Sequence, residues 1–301
     1  MDITTLRGEM AALGSAAIWA ASSTIYARIG HRIPPLTLNL LKGLAAIGFT
    51  LLTLVLRQDV LPQMSGTSVL LLLISGAVGI GIGDTAFFES LNCMGARRGL
   101  LLEALAPPLA ALIAWVSLGE RLPPIAALGI TLTVAGVAWV IVERSPEVMP
   151  SKTAPPLRLN RGIIFGCVAA LSQASGAVLS RAALADTAVP PLWSGLIRIV
   201  AGCGILLVWL GASPRPSGLG VLRSPRIVVL IGATAFASTF LAIWLQQTAL
   251  KYTATGIAQA IGATSPLFVI PIALMLGEHI SLRALLGAVI ALIGVWLLFA
   301  T

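Results

Sequence analysis

The sequence is poor in charged residues: Asp, Glu, Lys and Arg make up only 10% of its 301 residues, whereas 57% are hydrophobic. Soluble domains contain about 25% charged residues and about 45–50% apolar ones. A water-soluble globule of this composition would expose much of its apolar excess, and a disordered chain would need low hydrophobicity and high charge. Both classes are therefore excluded, and the composition predicts a polytopic membrane protein.

Cysteine and histidine are also scarce, with three and two residues respectively. Cys93, Cys167 and Cys203 share no metal-ligand spacing and have apolar neighbours, so we interpret them as buried small hydrophobic residues. His31 and His279 lie beside predicted helix ends and form no ligand cluster. No Ser-His-Asp, HExxH or two-carboxylate hydrolase arrangement occurs. We therefore expect no metal site, no cofactor and no enzymatic activity.

The basic residues are scattered rather than clustered. The formal net charge of +8 is compatible with nucleic-acid binding, but no basic run is interleaved with aromatic residues. Basic residues occur one to three at a time between apolar segments, which is typical of topology signals at lipid headgroups. The expected partner of these charges is therefore membrane lipid and not nucleic acid.

Ten apolar segments have about the length that crosses the hydrocarbon core as a helix. They are continuously apolar and do not alternate with period two, which predicts helices rather than barrel strands. The predicted fold class is therefore all-α, with ten transmembrane helices. The segments are residues 9–28, 36–56, 68–91, 98–118, 123–142, 161–182, 191–210, 226–249, 254–276 and 280–299.

The two halves of the chain repeat each other. A shift of 158 residues places Pro108 on Pro266. The same shift aligns three pairs of glycines: Gly119 with Gly277, Gly129 with Gly287, and Gly136 with Gly294. Each half has five helices, an odd number, so the second copy enters the membrane in the opposite orientation. Inverted repeats of this kind are typical of transporters, in which one cavity between the halves opens alternately to each side.

The repeat predicts a simple division of the chain. We expect a first five-helix repeat at residues 1–144 and a second at residues 161–301. The stretch 145–160 between them contains several prolines and mixed charge, and it is interpreted as a linker.

Short motifs recur at matching places in the two halves. The second half contains Ala249-Leu250-Lys251-Tyr252-Thr253, Pro266, Leu276-Gly277-Glu278, Leu286-Gly287-Ala288 and Ile293-Gly294-Val295. The first half contains a looser set, Pro107-Pro108, Leu118-Gly119-Glu120-Arg121, Leu128-Gly129 and Ala135-Gly136-Val137. This pattern resembles the drug/metabolite transporter superfamily, EamA type. The resemblance implies a ten-helix secondary carrier, often an exporter, and it names no cargo because that family moves amino acids, other metabolites and drugs.

The sequence predicts the location of the protein but leaves its orientation and its oligomeric state open. We expect a multi-pass protein of a cell membrane, which is the inner membrane if the source is a Gram-negative bacterium. The distribution of basic residues between loops favours both termini outside, whereas the resemblance implies both termini inside. The oligomeric state stays open between a monomer and a homodimer.

Five ionisable side chains lie well inside predicted spans. Such a side chain costs at least a few kcal/mol in hydrocarbon, so each is a functional hypothesis. They are Lys42, Asp84, Glu89, Glu103 and Arg198. A rise of 1.5 Å per residue places Lys42, Asp84 and Glu103 about 8–12 Å below the same membrane surface. These three are predicted to form one site, whereas Glu89 is interpreted as an interfacial charge.

Asp84 and Glu103 are expected to bracket a water-filled cavity, with Lys42 as their partner. A carboxylate in such a site can take a proton from one side and release it when the substrate or the alternate conformation arrives. The alternative is a static network that locks the second, third and fourth helices together. The second half lacks both acids, because the 158-residue shift maps them onto Ala242 and Ile261.

Aromatic and polar side chains inside the spans are candidates for substrate binding. An aromatic ring can stack on a substrate or a cation, and an amide binds polar groups without titrating. The alternative for these residues is helix packing, or a hydrogen-bonded bridge between helices. The predicted substrate-binding residues are Trp19, Tyr26, Phe88, Arg198, Trp244, Gln246 and Gln259.

The sequence thus predicts a secondary active transporter of small metabolites, such as amino acids or related polar or amphipathic compounds. We expect a proton-coupled exporter that works by alternating access, with the direction resting on the resemblance alone. A pH-independent exchanger or uniporter is the first alternative, and a lipid scramblase or passive channel is the second. The expected partners are a small-molecule substrate, protons and membrane lipid.

Overall fold

The computed structural model describes residues 3–29, 33–94, 99, 102–143, 158–212, 219–265, 267–268 and 282–299. Within these ranges the chain forms ten helices and contains no strand, so the predicted all-α fold class is confirmed. Most of the predicted linker 145–160, namely residues 145–157, lies outside the described residues, and so does the side chain of Tyr26.

Each helix overlaps one of the ten predicted spans. The helices are α1 (Ile3–Ile29), α2 (Pro35–Leu56), α3 (Gly66–Met94), α4 (Ala106–Leu118), α5 (Pro124–Glu143), α6 (Leu159–Leu184), α7 (Pro191–Ala212), α8 (Pro225–Tyr252), α9 (Thr255–Gly262) and α10 (Leu282–Phe299). A short 3-10 turn, Leu219–Arg223, precedes α8. By length and composition, α2, α3, α6, α7 and α8 can each cross a membrane, while α4, α5 and α10 contribute shorter apolar helices.

Small side chains fill the interior of the bundle and large apolar ones face outward. Ala20, Ala46 and Ala170 are fully buried, whereas Val116 and Trp296 are 75% and 68% exposed. In water such large exposed apolar side chains would form an interaction patch. Around a membrane protein they face lipid, and the small interior residues let the helices approach closely.

The glycines that repeat between the halves contact each other where α5 crosses α10. A Cβ added at Gly136 would lie 2.6 Å from the carbonyl oxygen of Gly287, and one at Gly294 would lie 2.7 Å from that of Gly129. Because these contacts are reciprocal between repeat-related positions, the crossing lies on the pseudo-two-fold axis. The equivalent helices α2 and α7, and likewise α4 and α9, also pack against each other. The fold therefore consists of two inverted five-helix repeats.

The repeat also extends into the third helix of each half, where the sequences match only loosely. α3 contains a π-helical segment at Ala77–Asp84, and α8 contains one at Ala235–Leu241. The two segments begin 158 residues apart, which is the shift that aligns the later helices. Short π-helical segments inside α-helices are frequent at functional sites. The first of them ends on Asp84.

α4 begins later than its predicted span, residues 98–118. Glu103 lies in a separate short turn of helix, and α4 itself begins only at Ala106. The cause is Pro107-Pro108, because proline lacks the N–H group that would continue a helix and fits the first turn of a new one. α9 is interrupted at the equivalent place, by a turn at residues 263–264. Each interruption contains a buried residue, Ala104 in the first and Thr264 in the second, and the two helices pack against each other.

Candidate functional site

Four ionisable side chains gather where helices of the two repeats cross. Lys42 on α2 and Arg198 on α7 are 1% and 3% exposed, and each is the eighth residue of its helix. Asp84 at the end of the π-helical segment lies in electrostatic range of both cations. Glu103 lies in electrostatic range of Asp84. We call these four residues the crossing cluster.

The close approach of α2 and α7 brings the two cations into one site. A Cβ added at Gly43 would overlap the sulfur of Cys203 and would lie 3.7 Å from the side chain of Ile199. Because Gly43 follows Lys42 and Ile199 follows Arg198, the helices touch at the level of the two charges. The structure thus brings Lys42, Asp84 and Glu103 together, as their estimated depths indicate, and adds Arg198 from the second repeat.

Two aromatic rings surround the ammonium group of Lys42. Its Nζ lies 5.0 Å from the ring centroid of Phe88 on α3 and 5.6 Å from that of Trp19 on α1. A cation over an aromatic face is attracted by the ring quadrupole, and the attraction increases when the cation is desolvated. Trp19 and Phe88, both predicted as substrate-binding residues, therefore adjoin the crossing cluster.

Arg198 lies against a glycine-lined face of α3. A Cβ added at Gly79 would lie 3.1 Å from Nη2 of Arg198, and one at Gly76 would overlap the backbone carbonyl of Arg198. The Nε and Nη1 atoms of Arg198 are buried and have no hydrogen-bond partner in the described part of the chain. The ion pairs found there are Arg57–Asp59, Arg161–Glu89 and Arg181–Glu120. Arg198 is therefore a deeply buried cation outside any ion pair among these residues.

Asn39 links α2 to the π-helical segment and was missed in the sequence analysis. Its Nδ2 donates to the carbonyl oxygen of Ile80 at 3.0 Å and to Oγ1 of Thr85 at 3.4 Å. Asn39 is 2% exposed and lies three residues before Lys42, hence on the same side of α2. The sequence did contain a signal for Asn39, because this polar side chain lies about one helical turn from Lys42 inside an apolar span.

Glu9 on α1 was also missed, because it stands at the very start of the predicted span 9–28. It is 1% exposed, and its Oε2 atom has no hydrogen-bond partner among the described residues. No contact of its carboxylate with the crossing cluster is found in the described chain.

Trp244 lies apart from the crossing cluster. Its ring packs against Phe240 with centroids 6.0 Å apart, and the guanidinium carbon of Arg57 lies 5.7 Å from the Trp244 ring centroid. Arg57 follows Lys42 by fifteen residues, or about 22 Å of helix. This placement favours helix packing for Trp244 rather than a shared site with Lys42. Gln246 and Gln259 are half-buried on α8 and α9.

A second group of charges lies at the opposite end of α4. Nε of Arg181 donates to Oε1 of Glu120 at 2.8 Å, and Nη1 donates to the carbonyl oxygens of Leu250 and Lys251 at the end of α8. Oε2 of Glu120 accepts a hydrogen bond from the backbone N–H of Thr255 at the start of α9. We call these side chains, Arg181 and Glu120, the end cluster. It ties α4, α6, α8 and α9 together.

The residue before Glu120 caps α4. Gly119 has a φ of 68°, in the left-handed region, and the backbone N–H of Glu120 donates to the carbonyl of Ala114 at 3.3 Å. This is the helix-terminating arrangement that favours glycine, which explains the Gly119-Glu120 motif at the end of α4. Glu278, the second glutamate of the repeated pair, lies outside the described residues.

Glu89 lies in a third environment, at the edge of the bundle. Its Oε1 atom forms an ion pair with Nη2 of Arg161 at 2.8 Å, and the two side chains are 28% and 41% exposed. This agrees with the interpretation of Glu89 as an interfacial charge.

The comparisons with known proteins identify the family. The sequence profile of the EamA-like transporter family matches the chain twice, at residues 6–142 and 160–300. The chain belongs to this family. A transporter of this family moves small molecules across a membrane, so the protein is a multi-pass membrane transporter with small-molecule substrates and a lipid environment.

A solved structure shares the fold of this EamA-like transporter. It is described only as "Crystal structure of protein", and it superimposes with a TM-score of 0.77 at 17% sequence identity. The match covers 99% of this chain and 97% of the other. No curated protein matches the chain.

The crossing cluster of this EamA-like transporter combines two carboxylates and two cations inside the bundle. It lies beside the π-helical segment of α3 and the interrupted start of α4. Among the residues that the structure describes, no three His, Cys, Asp or Glu side chains are placed to hold a metal ion. The carboxylates of the crossing cluster can bind protons, and its cations can attract anionic groups.

Proposed function

We propose that this transporter couples the movement of a small metabolite to protons, and that Asp84 and Glu103 are the proton-binding groups. Lys42 is their cationic partner. Export is the proposed direction, on the strength of the family resemblance. The observation that carries the proposal is the placement of two carboxylates in mutual electrostatic range inside the crossing cluster.

Proton binding changes the electrostatic interactions within the cluster. Two negative charges close together in a medium of low dielectric constant repel each other strongly. Binding one proton to the pair of Asp84 and Glu103 removes that repulsion and changes the attraction of both carboxyl groups to Lys42. A conformational change that alters these distances therefore changes the affinity for the proton, which is what coupling requires.

The position of the cluster supports the same proposal. In inverted-repeat carriers the substrate and coupling-ion sites lie near the membrane midplane, at the interface of the repeats. α2 and α7 are equivalent helices of the two repeats, and they cross at Lys42 and Arg198. The irregular backbone of α3 and α4 also lies there, and such backbone is tolerated at membrane depth where it is buried or lines a cavity.

One observation favours the alternative of a pH-independent exchanger or uniporter. Two cations and two carboxylates give the crossing cluster a formal charge of zero without any bound proton. A neutral cluster of this kind can stay permanently ionised and hold the helices together. In that case the substrate alone would drive the change between the two orientations.

Transport into proteoliposomes with an imposed pH gradient separates the two functions. The purified protein would be tested with amino acids, amines, organic acids and sugars. We expect gradient-driven accumulation to be lost in Asp84→Asn and Glu103→Gln, while exchange at equal pH on both sides persists. The matched control is Glu89→Gln, which removes a carboxylate at the edge of the bundle and should accumulate substrate normally. Undiminished gradient-driven accumulation in both variants would contradict proton coupling through these acids.

A further inference from the structure

We propose that Arg198 binds a carboxylate group of the transported molecule, so that the substrates of this carrier are small organic carboxylates. This inference rests on the proposed function in that the crossing cluster must be the transport site. It goes further by assigning one residue to one chemical group of the substrate.

The first argument is the state of the Arg198 side chain. It is 3% exposed, and its Nε and Nη1 atoms have no hydrogen-bond partner in the described chain. Buried N–H donors of a cation that find no acceptor cost a few kcal/mol, even with the carboxylate of Asp84 in electrostatic range, and guanidinium groups do not lose their proton in proteins. A partner from outside the chain would recover that cost. The planar N–H fork of arginine matches a carboxylate better than any other common group in a metabolite except phosphate.

The second argument is the surface that faces the guanidinium group. The absence of a side chain at Gly79 lets Nη2 pack closely against α3, since a Cβ there would lie only 3.1 Å from that atom. The same added Cβ would lie 3.9 Å from Oε1 of Gln173 on α6. An amide that can donate or accept hydrogen bonds thus adjoins the arginine. A ligand held by the guanidinium group would have this amide as a second polar partner.

Binding to the purified protein in detergent tests the inference without a pH gradient. The probes are three matched pairs, phenylalanine and phenylalaninamide, leucine and leucinamide, and phenylacetate and phenylacetamide, with sodium chloride as the anion control. A ligand that binds only the folded state raises Tm with its concentration. We expect at least one carboxylate to raise Tm in a saturable way, and its carboxamide to have no such effect. Arg198→Gln should weaken this apparent affinity at least about tenfold, Arg198→Lys should weaken it less, and the control Glu89→Gln at the edge of the bundle should retain it.

Three results would overturn the inference: equal shifts by the members of each pair, no shift by any carboxylate, or unchanged affinity in Arg198→Gln. A fourth result would also overturn the inference: chloride raises Tm in a saturable way and removes the effect of the carboxylates. The site would then bind inorganic anions. If Arg198→Gln does not fold, the comparison of carboxylate with carboxamide in the wild-type protein decides alone. Carboxylate binding without pH-driven transport would refute only proton coupling. Transport driven by the pH gradient without any binding of carboxylates would refute only the role of Arg198.

Discussion

The crossing cluster and the end cluster lie at opposite ends of α4. Each contains an arginine and a glutamate, but the two arginines differ in their hydrogen bonding. Arg181 of the end cluster makes three hydrogen bonds, one of them in an ion pair with Glu120. Arg198 of the crossing cluster is more deeply buried, yet two of its nitrogen atoms have no partner in the described chain. The two arginines therefore differ in how fully their hydrogen bonds are satisfied and not only in burial. We propose that this difference separates a structural residue from a transport residue in this bundle.

The two clusters also differ in what they connect. The end cluster joins the end of one helix to the start of the next, so its bonds hold the polar ends of α8 and α9 in place. The crossing cluster lies between the two repeats, where the proposed alternating access would require the packing to change. Under that proposal, the unsatisfied donors of Arg198 are available to a ligand and do not lock one conformation.

The largest effect on folding is expected from Gly76→Ala, which damages the support of the crossing cluster without removing a charge. The added Cβ would overlap backbone atoms of Arg198, which cannot rotate away, so the cost should exceed the roughly 1–3 kcal/mol that is typical of overpacking. Thermal unfolding in detergent, followed by labelling of the buried thiols of Cys93 and Cys203, would measure it. The control is Gly48→Ala, where nothing lies within 4 Å of the added Cβ, and that variant should unfold like the wild type.

A smaller effect on stability is expected from Arg181→Gln in the end cluster. Loss of its charge-assisted hydrogen bonds should cost about 2–3 kcal/mol and lower Tm. Transport per folded molecule should be unchanged, because Arg181 binds only protein groups. Loss of transport at full stability in this variant would invalidate the distinction between the two clusters.

The smallest effect is expected from Glu89→Gln at the edge of the bundle. Half-exposed ion pairs contribute about 1 kcal/mol or less and are screened by salt. The difference in Tm from the wild type should therefore be small at low salt and should vanish at high salt. A large, salt-independent loss of stability would show that Glu89 has a structural role comparable to that of Glu120.

The fold was predictable from the sequence because membrane helices follow from apolar length. The two-fold relation followed from the repeated glycines, which the structure shows in contact at the crossing of α5 and α10. The π-helical segment that ends at Asp84 was not predictable, since its hydrogen-bonding pattern depends on the packing of α3 against α6 and α7. The late start of α4 follows from Pro107-Pro108, although the predicted span ran through it.

The composition of the crossing cluster was predictable only in part. Depth along a helix brought Lys42, Asp84 and Glu103 to one level. Depth alone does not show which helices cross, so Arg198 was expected as a separate substrate-binding residue rather than as a neighbour of Asp84. The placement of Trp244 was not predictable for a similar reason, because its mid-span position does not reveal which side of α8 it occupies.

The same substitution in each cluster, Glu103→Gln and Glu120→Gln, provides the decisive comparison when pH-driven accumulation and Tm are measured for both variants. We predict that Glu103→Gln loses gradient-driven accumulation and keeps the Tm of the wild type. We predict that Glu120→Gln lowers Tm and retains accumulation per folded molecule. The reverse pattern, with Glu103→Gln transporting normally and Glu120→Gln inactive at full stability, would contradict the assignment of transport to the crossing cluster.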